Sequence, residues 1–457
     1  MPPSVALVLF TGFVLWLFAR ERARRAVVSP AAWIAVIWIT ILGSRPASLW
    51  FGIGKQGVSS GDFMEGSPVD RLIFLLLIVA GMLVLAKRRV KWRHIINSNK
   101  LLFAFFLYCG ISVLWSDYSF VSFKRWFKDL GNVVIVLVVL SEEKPIEALK
   151  SVLLRCAFLL IPYSMLLYKY YPELGRFYYG VHAQSVSFTG VTLGKNELGA
   201  TLLNCILVLM WSWLYRPGKL KVPFAKSEVL DYGILLVMAC WLMAGADSST
   251  SLGCTLVGGA VVFGAKSPAI LKRMKYLWFY LLGAVVVVMV LKGPVAGLFG
   301  RDATLTGRTD IWEKVLDQNT NPILGAGYYS FWLGDRTEQV SRDYYYRLNE
   351  AHNGYLETYL DLGLIGVALL IGTLLAAGGK IKEEVMRGDR QAILRLAVLV
   401  AGVIYNLTES SFNRLSIEWF GVLLAIVFYP RPEKMESQNT QPVMPPIRAP
   451  FIINSTL

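Results

Sequence analysis

Long apolar runs separated by short Lys/Arg-rich connections constrain this chain more than any other feature. Runs such as 276–291 and 356–377 approach the roughly 20 residues that a helix needs to cross a bilayer. Thirteen segments read this way: 4–19, 26–43, 71–86, 101–115, 129–140, 149–168, 197–215, 230–246, 251–265, 276–298, 355–378, 393–409 and 412–429. Several are short and 129–140 is the weakest, so the expected total is about 12–14 transmembrane helices. Inside lipid no water satisfies backbone polar groups, so each span must be a helix. The expected fold is an all-α polytopic membrane protein, with residues 1–429 forming one transmembrane domain.

Charge sets the orientation of these spans. The chain is 55% hydrophobic and 17% charged, with a net charge of +15. The positive excess falls on alternate connections, at Arg20 to Arg25, Lys87 to Lys100, Arg216 to Lys226, Lys266 to Lys275 and Lys380 to Arg395. Short loops rich in Lys and Arg are retained in the cytoplasm, so the charge reads as topology and not as a nucleic-acid surface. The same parity places the loops 44–70, 116–128, 169–196 and 299–354, and the N-terminus, outside. The first span lacks a basic region before it and a small-residue cleavage site after it, which predicts a retained helix. The five cysteines lie in or beside apolar runs without metal-type spacing, and read as small core residues. Residues 430–457, rich in Pro, Gln, Asn and Ser, predict a disordered cytoplasmic tail.

One connection is out of proportion to the others. The outward loop 299–354 carries Gly307-Arg308-Thr309-Asp310-Ile311-Trp312, then Asn321-Pro322-Ile323-Leu324-Gly325-Ala326-Gly327, and ends in Ala351-His352-Asn353-Gly354. A helix beginning Glu357-Thr358-Tyr359-Leu360-Asp361-Leu362-Gly363-Leu364-Ile365-Gly366 follows it. Loops of this length in a compact fold are functional or disordered, and the content of Trp, Tyr and Phe favours function.

The outward chemistry is sparse. Of three histidines, His94 falls in a basic cytoplasmic connection, His182 in the 169–196 loop, and His352 at the mouth of a helix. No pair has ligand spacing and no Cys accompanies them, so no metal site or other cofactor is expected. His352 can act as a general base, since imidazole titrates near neutral pH; equally, it can cap the next helix or fill an interface. Asn353 is the N-cap of that helix, which leaves His352 facing the loop. Arg308 is the sharper anion ligand, because a guanidinium grips phosphate in a bidentate fork. It precedes a short amphipathic helix through Ile311, Trp312, Val315 and Leu316, with Asp310 as its expected cap. Arg301, Arg176 and Lys195 can reach the same region, although each can also be a headgroup-level charge. Glu409 ends a span on the outer side, where a carboxylate is a functional candidate that can also simply pair with Arg414. Trp312, Asn353 and Glu409 therefore join Lys195, Arg301 and Arg176 as expected substrate-binding residues. Tyr328, Tyr329, Phe331, Trp332, Tyr344, Tyr345 and Tyr346 suit sugar stacking or an interfacial belt.

The Gly-Arg-x-x-x-Trp start, the Asn-Pro-x-x-Gly-x-Gly turn, the His-Asn pair and the Gly-Leu-Ile-Gly helix together resemble the shared domain of the O-antigen ligase and Wzy-type polysaccharide polymerase superfamily. The likeness covers about 301–370, and within that family it is nearest to exopolysaccharide polymerases of the succinoglycan type. It implies a metal-independent glycosyltransferase of the bacterial inner membrane with a GT-C-like architecture, acting at the periplasmic face. It implies an undecaprenyl-diphosphate-linked oligosaccharide as donor, membrane lipids around it, and a flippase and chain-length regulator as working partners. Carried over, His352 activates the acceptor hydroxyl and Arg308 binds the donor diphosphate. One departure stands out: where ligases of the family carry an Arg in a Ser-Arg-Gly-like turn, this chain reads Ala246-Asp247-Ser248-Ser249-Thr250-Ser251. A second cation then comes from Lys195, in Leu193-Gly194-Lys195-Asn196-Glu197, or from Arg301 or Arg176. The departure favours a polymerase over a ligase that moves a finished glycan to lipid A-core. A transporter is the competing class; it would show internal repeats and midplane charges, and only Arg155 stands out as a deep charge.

Overall fold

The computed structural model of the protein describes residues 1–24, 28–53, 67–179, 185–215, 225–273, 276, 308–344 and 347–430. Among the described residues, apart from one antiparallel hairpin, Arg176–Tyr179 with Ser185–Phe188, the elements are helices. The protein is an all-α polytopic membrane protein. Twelve of the thirteen expected spans coincide with helices: Pro3–Arg24, Ala32–Leu42, Pro68–Lys87, Lys100–Ile111, Ser119–Leu140, Pro145–Tyr170, Lys195–Leu214, Ala225–Ala246, Ser249–Gly264, Gly354–Met386, Arg390–Tyr405 and Ile417–Ile426. The thirteenth, 276–298, lies outside the described residues, as do the tail from 431 onward, Arg301 and His182.

These helices are not equal. Among the described residues six are long and apolar enough to cross a bilayer alone, and a seventh span arises if Trp92–Ser98 and Lys100–Trp115, bent by 98°, are joined. Ala32–Leu42, Ser249–Gly264 and Ile417–Ile426 are apolar but shorter. The weakest expected span, 129–140, is the second half of a helix that starts at Ser119. Its first half carries Lys124, Arg125 and Lys128, so the outward connection expected at 116–128 is largely helical.

Much of the bundle is held by apolar packing, with a few buried polar ties such as Trp38 Nε1 to Asn132 Oδ1 at 2.8 Å. The Pro145–Tyr170 and Lys195–Leu214 helices are the most enclosed spans, with faces such as Leu154, Ala157, Ile161, Leu202 and Ile206 fully buried. Cys109, Cys156, Cys205 and Cys254 are buried there as expected, whereas Cys240 is exposed on its helix. Arg155, the deep charge, pairs with Glu21 at 3.0 Å and lies 4.9 Å over the Trp33 ring, a fixed and local arrangement.

The segment between residues 308 and 351 has a small core of its own. Ile311, Val315, Ala326, Phe331, Trp332, Val340, Leu348 and Ala351 pack together with Leu360. The loop aromatics Tyr328, Phe331 and Trp332 are thus buried scaffold and form neither an interfacial belt nor a sugar platform; Tyr329 is also buried, but borders a cavity. Tyr345 and Tyr346 lie outside the described residues.

Two of the sequence motifs mate with each other. The Gly354–Met386 helix is broken at Gly363, whose φ of 61° and ψ of −165° leave helical space. A break inside an apolar helix frees backbone groups that then need other partners. The Asn321–Gly327 turn satisfies them: Ala326 N donates to Leu360 O at 2.9 Å, Gly327 N to Asp361 O at 2.8 Å, and Leu364 N to Pro322 O at 2.9 Å. A Cβ on Gly363 would sit 2.2 Å from the Ile323 carbonyl carbon, and one on Gly325 2.3 Å from that of Asp361. Positive φ and close backbone approach therefore demand glycine at both positions. Asn321 shapes the turn, its Oδ1 accepting from Ile323 N at 2.9 Å and Leu324 N at 3.1 Å.

A buried polar cluster fastens this module to the bundle. Asp129 accepts from Asn132 Nδ2 at 2.9 Å, Tyr328 Oη at 2.9 Å and Trp419 Nε1 at 3.0 Å. Both of its oxygens are thereby engaged in the protein interior, which is the condition for keeping a carboxylate there.

Candidate functional site

The site forms where this module meets the ends of two apolar helices. Asn353 caps the Gly354–Met386 helix as the sequence predicts, its Oδ1 accepting from Tyr355 N at 3.0 Å and Leu356 N at 3.1 Å. Its own N–H donates to Ser410 Oγ at 2.9 Å, and Gly354 N donates to Asn406 O and Glu409 O. The cap is thus pinned to the 406–411 connection. His352, immediately before it, has a φ of 52°, a left-handed conformation uncommon for a residue with a side chain. Such strain persists where surrounding contacts over-determine the backbone, and it clusters at functional sites. Trp312 supplies one such contact, donating from Nε1 to Ala351 O at 2.7 Å. Ala351 N donates in turn to Glu357 Oε1.

Arg308 is the first residue of the helix Arg308–Leu316, so Asp310 lies in its first turn and is not its cap. Ile311 and Val315 face the small core as the periodicity predicts, but Leu316 is exposed.

Glu409 joins the two leading candidates. Arg308 Nη2 lies 2.9 Å from its Oε1, and His352 Nδ1 lies 3.5 Å from its Oε2. Asn196 Nδ2 donates to Oε1 at 3.0 Å. One buried carboxylate therefore gathers side chains from three other segments. The alternative that Glu409 simply pairs with Arg414 is not what the structure shows: Arg414 lies 3.0 Å from both Glu350 and Glu357. Glu350, which sequence reasoning misses, lies 2.9 Å from His352 Nδ1.

The charge states follow from this geometry. Burial opposes a charged imidazole, but the carboxylates of Glu350 and Glu409 outweigh it and raise the His352 pKa to about 10. Burial likewise opposes the Glu350 carboxylate, yet His352, Arg414 and Arg308 lower its pKa to about 2. Arg414 is held charged above its ordinary range by Tyr329, Glu357 and Glu350, against its own burial. At neutral pH the centre is an imidazolium between two carboxylates, flanked by two guanidiniums.

Glu350, His352 and Glu409 each place one ligand atom within 4.8 Å of the others, close enough to hold a metal ion. Sequence spacing does not show this, because Glu409 comes from a segment far from the other two. Arg308 and Arg414 already balance the two carboxylates, so the cluster also stands as a complete ion network.

A cavity of about 570 Å³ opens beside the network, with Lys195, Asn196, Glu350, Glu409, Arg414 and Lys128 among its walls. That size suits a small-molecule ligand or part of a larger one. Arg308 and His352 are not among its walls; they contact Glu409 and Glu350, which are. Lys195 starts its helix on the cavity wall and pairs with Asp247 at 3.2 Å. Asp247, with φ of 50°, belongs to the Ala246–Ser251 turn that lacks the family's Arg, and Thr250 of that turn hydrogen-bonds Thr408 at 2.9 Å. Arg176 is not at the site: its Nε donates to Tyr168 O at 2.9 Å and its guanidinium stacks on that ring. Of the expected set, His352, Arg308, Glu409, Asn353 and Lys195 converge, Trp312 supports the backbone beside them, and Arg176 stays apart. Arg301 falls outside the described residues.

Comparison with known proteins agrees with the motif reading. Residues 233–371 match the family model described as O-antigen ligase. The chain is also similar to the exopolysaccharide production protein ExoQ of Rhizobium meliloti (strain 1021), with 26% identity over 298 residues. That alignment spans 60% of this chain and 63% of the relative, a little under two thirds of its length. Both likenesses support the O-antigen ligase and Wzy-type resemblance, near ExoQ. The matched family region includes Arg308, the glycine turn, His352 and the broken helix, while Lys195, Asn196, Glu409 and Arg414 lie beyond it.

Proposed function

We propose that this polytopic membrane protein joins lipid-linked oligosaccharide repeat units into an exopolysaccharide at the outer, periplasmic face of the bacterial inner membrane. The donor in this reading is a glycan on undecaprenyl diphosphate, and the acceptor a hydroxyl of a second glycan. The observation that carries the reading is the meeting of Arg308 and His352 on one buried carboxylate beside a cavity with charged side chains in its wall.

Transfer needs the departing diphosphate held and the acceptor placed in line with the sugar carbon. Arg308 takes the diphosphate in a bidentate grip, and Lys195 offers a second charge from the cavity wall. The resting geometry supports a changed role for His352. Held as a cation between two carboxylates, it stabilises charge developing on the leaving group, and a flanking carboxylate takes the acceptor proton. These fixed charges do the electrostatic work that a divalent ion does in many diphosphate-sugar enzymes, so the proposed transfer is metal-independent.

A second reading has its own support in the O-antigen ligase match: transfer of a finished glycan to a separate acceptor such as lipid A-core. Replacing His352 or Arg308 by Ala in cells, while following polymer and lipid-linked single units, separates the readings. A polymerase loses long polymer and accumulates single units on the outer face with the protein still inserted. Finished polymer left on its lipid carrier supports the ligase, and single units trapped on the cytoplasmic face support a transporter.

A further inference from the structure

Glu409 occupies an unusual place for a carboxylate. Its two oxygens take a guanidinium N–H of Arg308, an amide N–H of Asn196 and the approach of the His352 imidazole, from segments far apart in the chain. Those are the donors that an oxyanion of a phosphate group would recruit. The side chain is buried and borders the cavity, and its backbone carbonyl is fixed by Gly354 N at 3.0 Å. Removing it would leave two cationic groups with little solvent and one fewer counter-charge.

We infer that Glu409 is an internal stand-in for the donor's diphosphate: its carboxylate fills the anion position between Arg308, His352 and Asn196 at rest and is displaced when donor binds. This inference rests on the proposed role of Arg308 as diphosphate ligand. Its physical basis is the cost of uncompensated charge. A buried cation that loses its partner is strongly destabilised, and any arriving anion relieves that penalty. The native carboxylate therefore weakens anion binding while keeping the cations assembled and the site closed to adventitious anions. A residue that merely shaped a diphosphate site would do the reverse, since its loss would weaken binding.

Inorganic diphosphate is the probe. Its dissociation constant is measured at neutral pH on the full chain in lipid nanodiscs, for the parent, Glu409→Gln and Arg308→Ala, and for the double variant. Glu409→Gln should bind diphosphate at least about tenfold more tightly than the parent, with Arg308→Ala abolishing binding in both backgrounds. Glu409→Ser, which also removes the carboxylate while leaving Arg308, His352 and Asn196 in place, should give a similar gain and serves if Glu409→Gln does not fold. Unchanged or weaker binding in both Glu409→Gln and Glu409→Ser, with the Arg308 dependence intact, overturns the stand-in. Diphosphate binding indifferent to Arg308 in every background overturns the diphosphate reading itself, and the inference with it.

Discussion

The apolar bundle and the module built from residues 308–366 are stabilised by different physics. Around Leu154, Ile161, Leu202 and Ile206 the helices meet through side chains of similar chemistry, and many exchanges of similar volume would fit. Between residues 308 and 366 the structure depends on individual hydrogen bonds and on glycines with positive φ. The first region specifies that there is a membrane bundle; the second specifies where two or three side chains point. A module of the second kind fails at single positions, and the site is built on it.

The largest expected effect is at Arg308. Arg308→Ala should lower the polymerisation rate by about 10²–10³-fold, the usual cost of losing one charge-stabilising donor. A rate within about threefold of the parent would separate the site from the chemistry.

Gly363→Ala sharpens the comparison within one helix. A Cβ there meets the Ile323 carbonyl carbon at 2.2 Å at a left-handed φ, so a loss of about 3 kcal/mol is expected in thermal unfolding. Gly379 lies on the same helix with nothing within 4 Å of an added Cβ, and Gly379→Ala should be neutral or gain up to about 1 kcal/mol. Equal responses would erase the distinction between module and bundle.

His352 gives a pH signature. Its pKa is raised in the fold from an ordinary value near 6.5 to about 10, so its stabilising contribution is complete below about pH 6.5 and lost as pH climbs to 10. The difference in melting temperature between the parent and His352→Gln should thus shrink across that interval. A difference that grows with pH would mean the imidazole is neutral at rest. The Glu350 side of the same pair works in the other direction. With its pKa lowered to about 2, its contribution is complete above about pH 4.5 and fades only as pH falls toward 2.

Trp312→Phe carries the smallest loss. It removes the donor to Ala351 O and should cost about 1 kcal/mol and about fivefold in rate, read from the same polymer assay. A larger loss would mean that the indole itself touches substrate.

Much of this architecture is legible in the sequence. Apolar run length predicts twelve of the described helices, because lipid leaves the backbone one option. The Asn353 cap and the convergence of Arg308 with His352 follow from motif order. Other features come from tertiary contact that spacing does not encode. Gly363, two residues after an Asp within an apolar helix, is the available sign of the break, but its partner turn lies some forty residues earlier. Glu350 is legible as a carboxylate two residues from His352. Asn196 and Arg414 each stand near a residue already singled out, Lys195 and Glu409. The resting charge of His352 depends on its carboxylate neighbours, and those are assembled only by the fold.

The most direct measurement uses purified full chain in lipid nanodiscs, supplied only with a lipid-diphosphate-linked repeat unit. A ladder of products with one lipid diphosphate released per new bond, absent in Arg308→Ala and His352→Ala, is the predicted result. Ladders that persist in both variants, or none from the parent under any acceptor concentration, would contradict glycosyl transfer at this site.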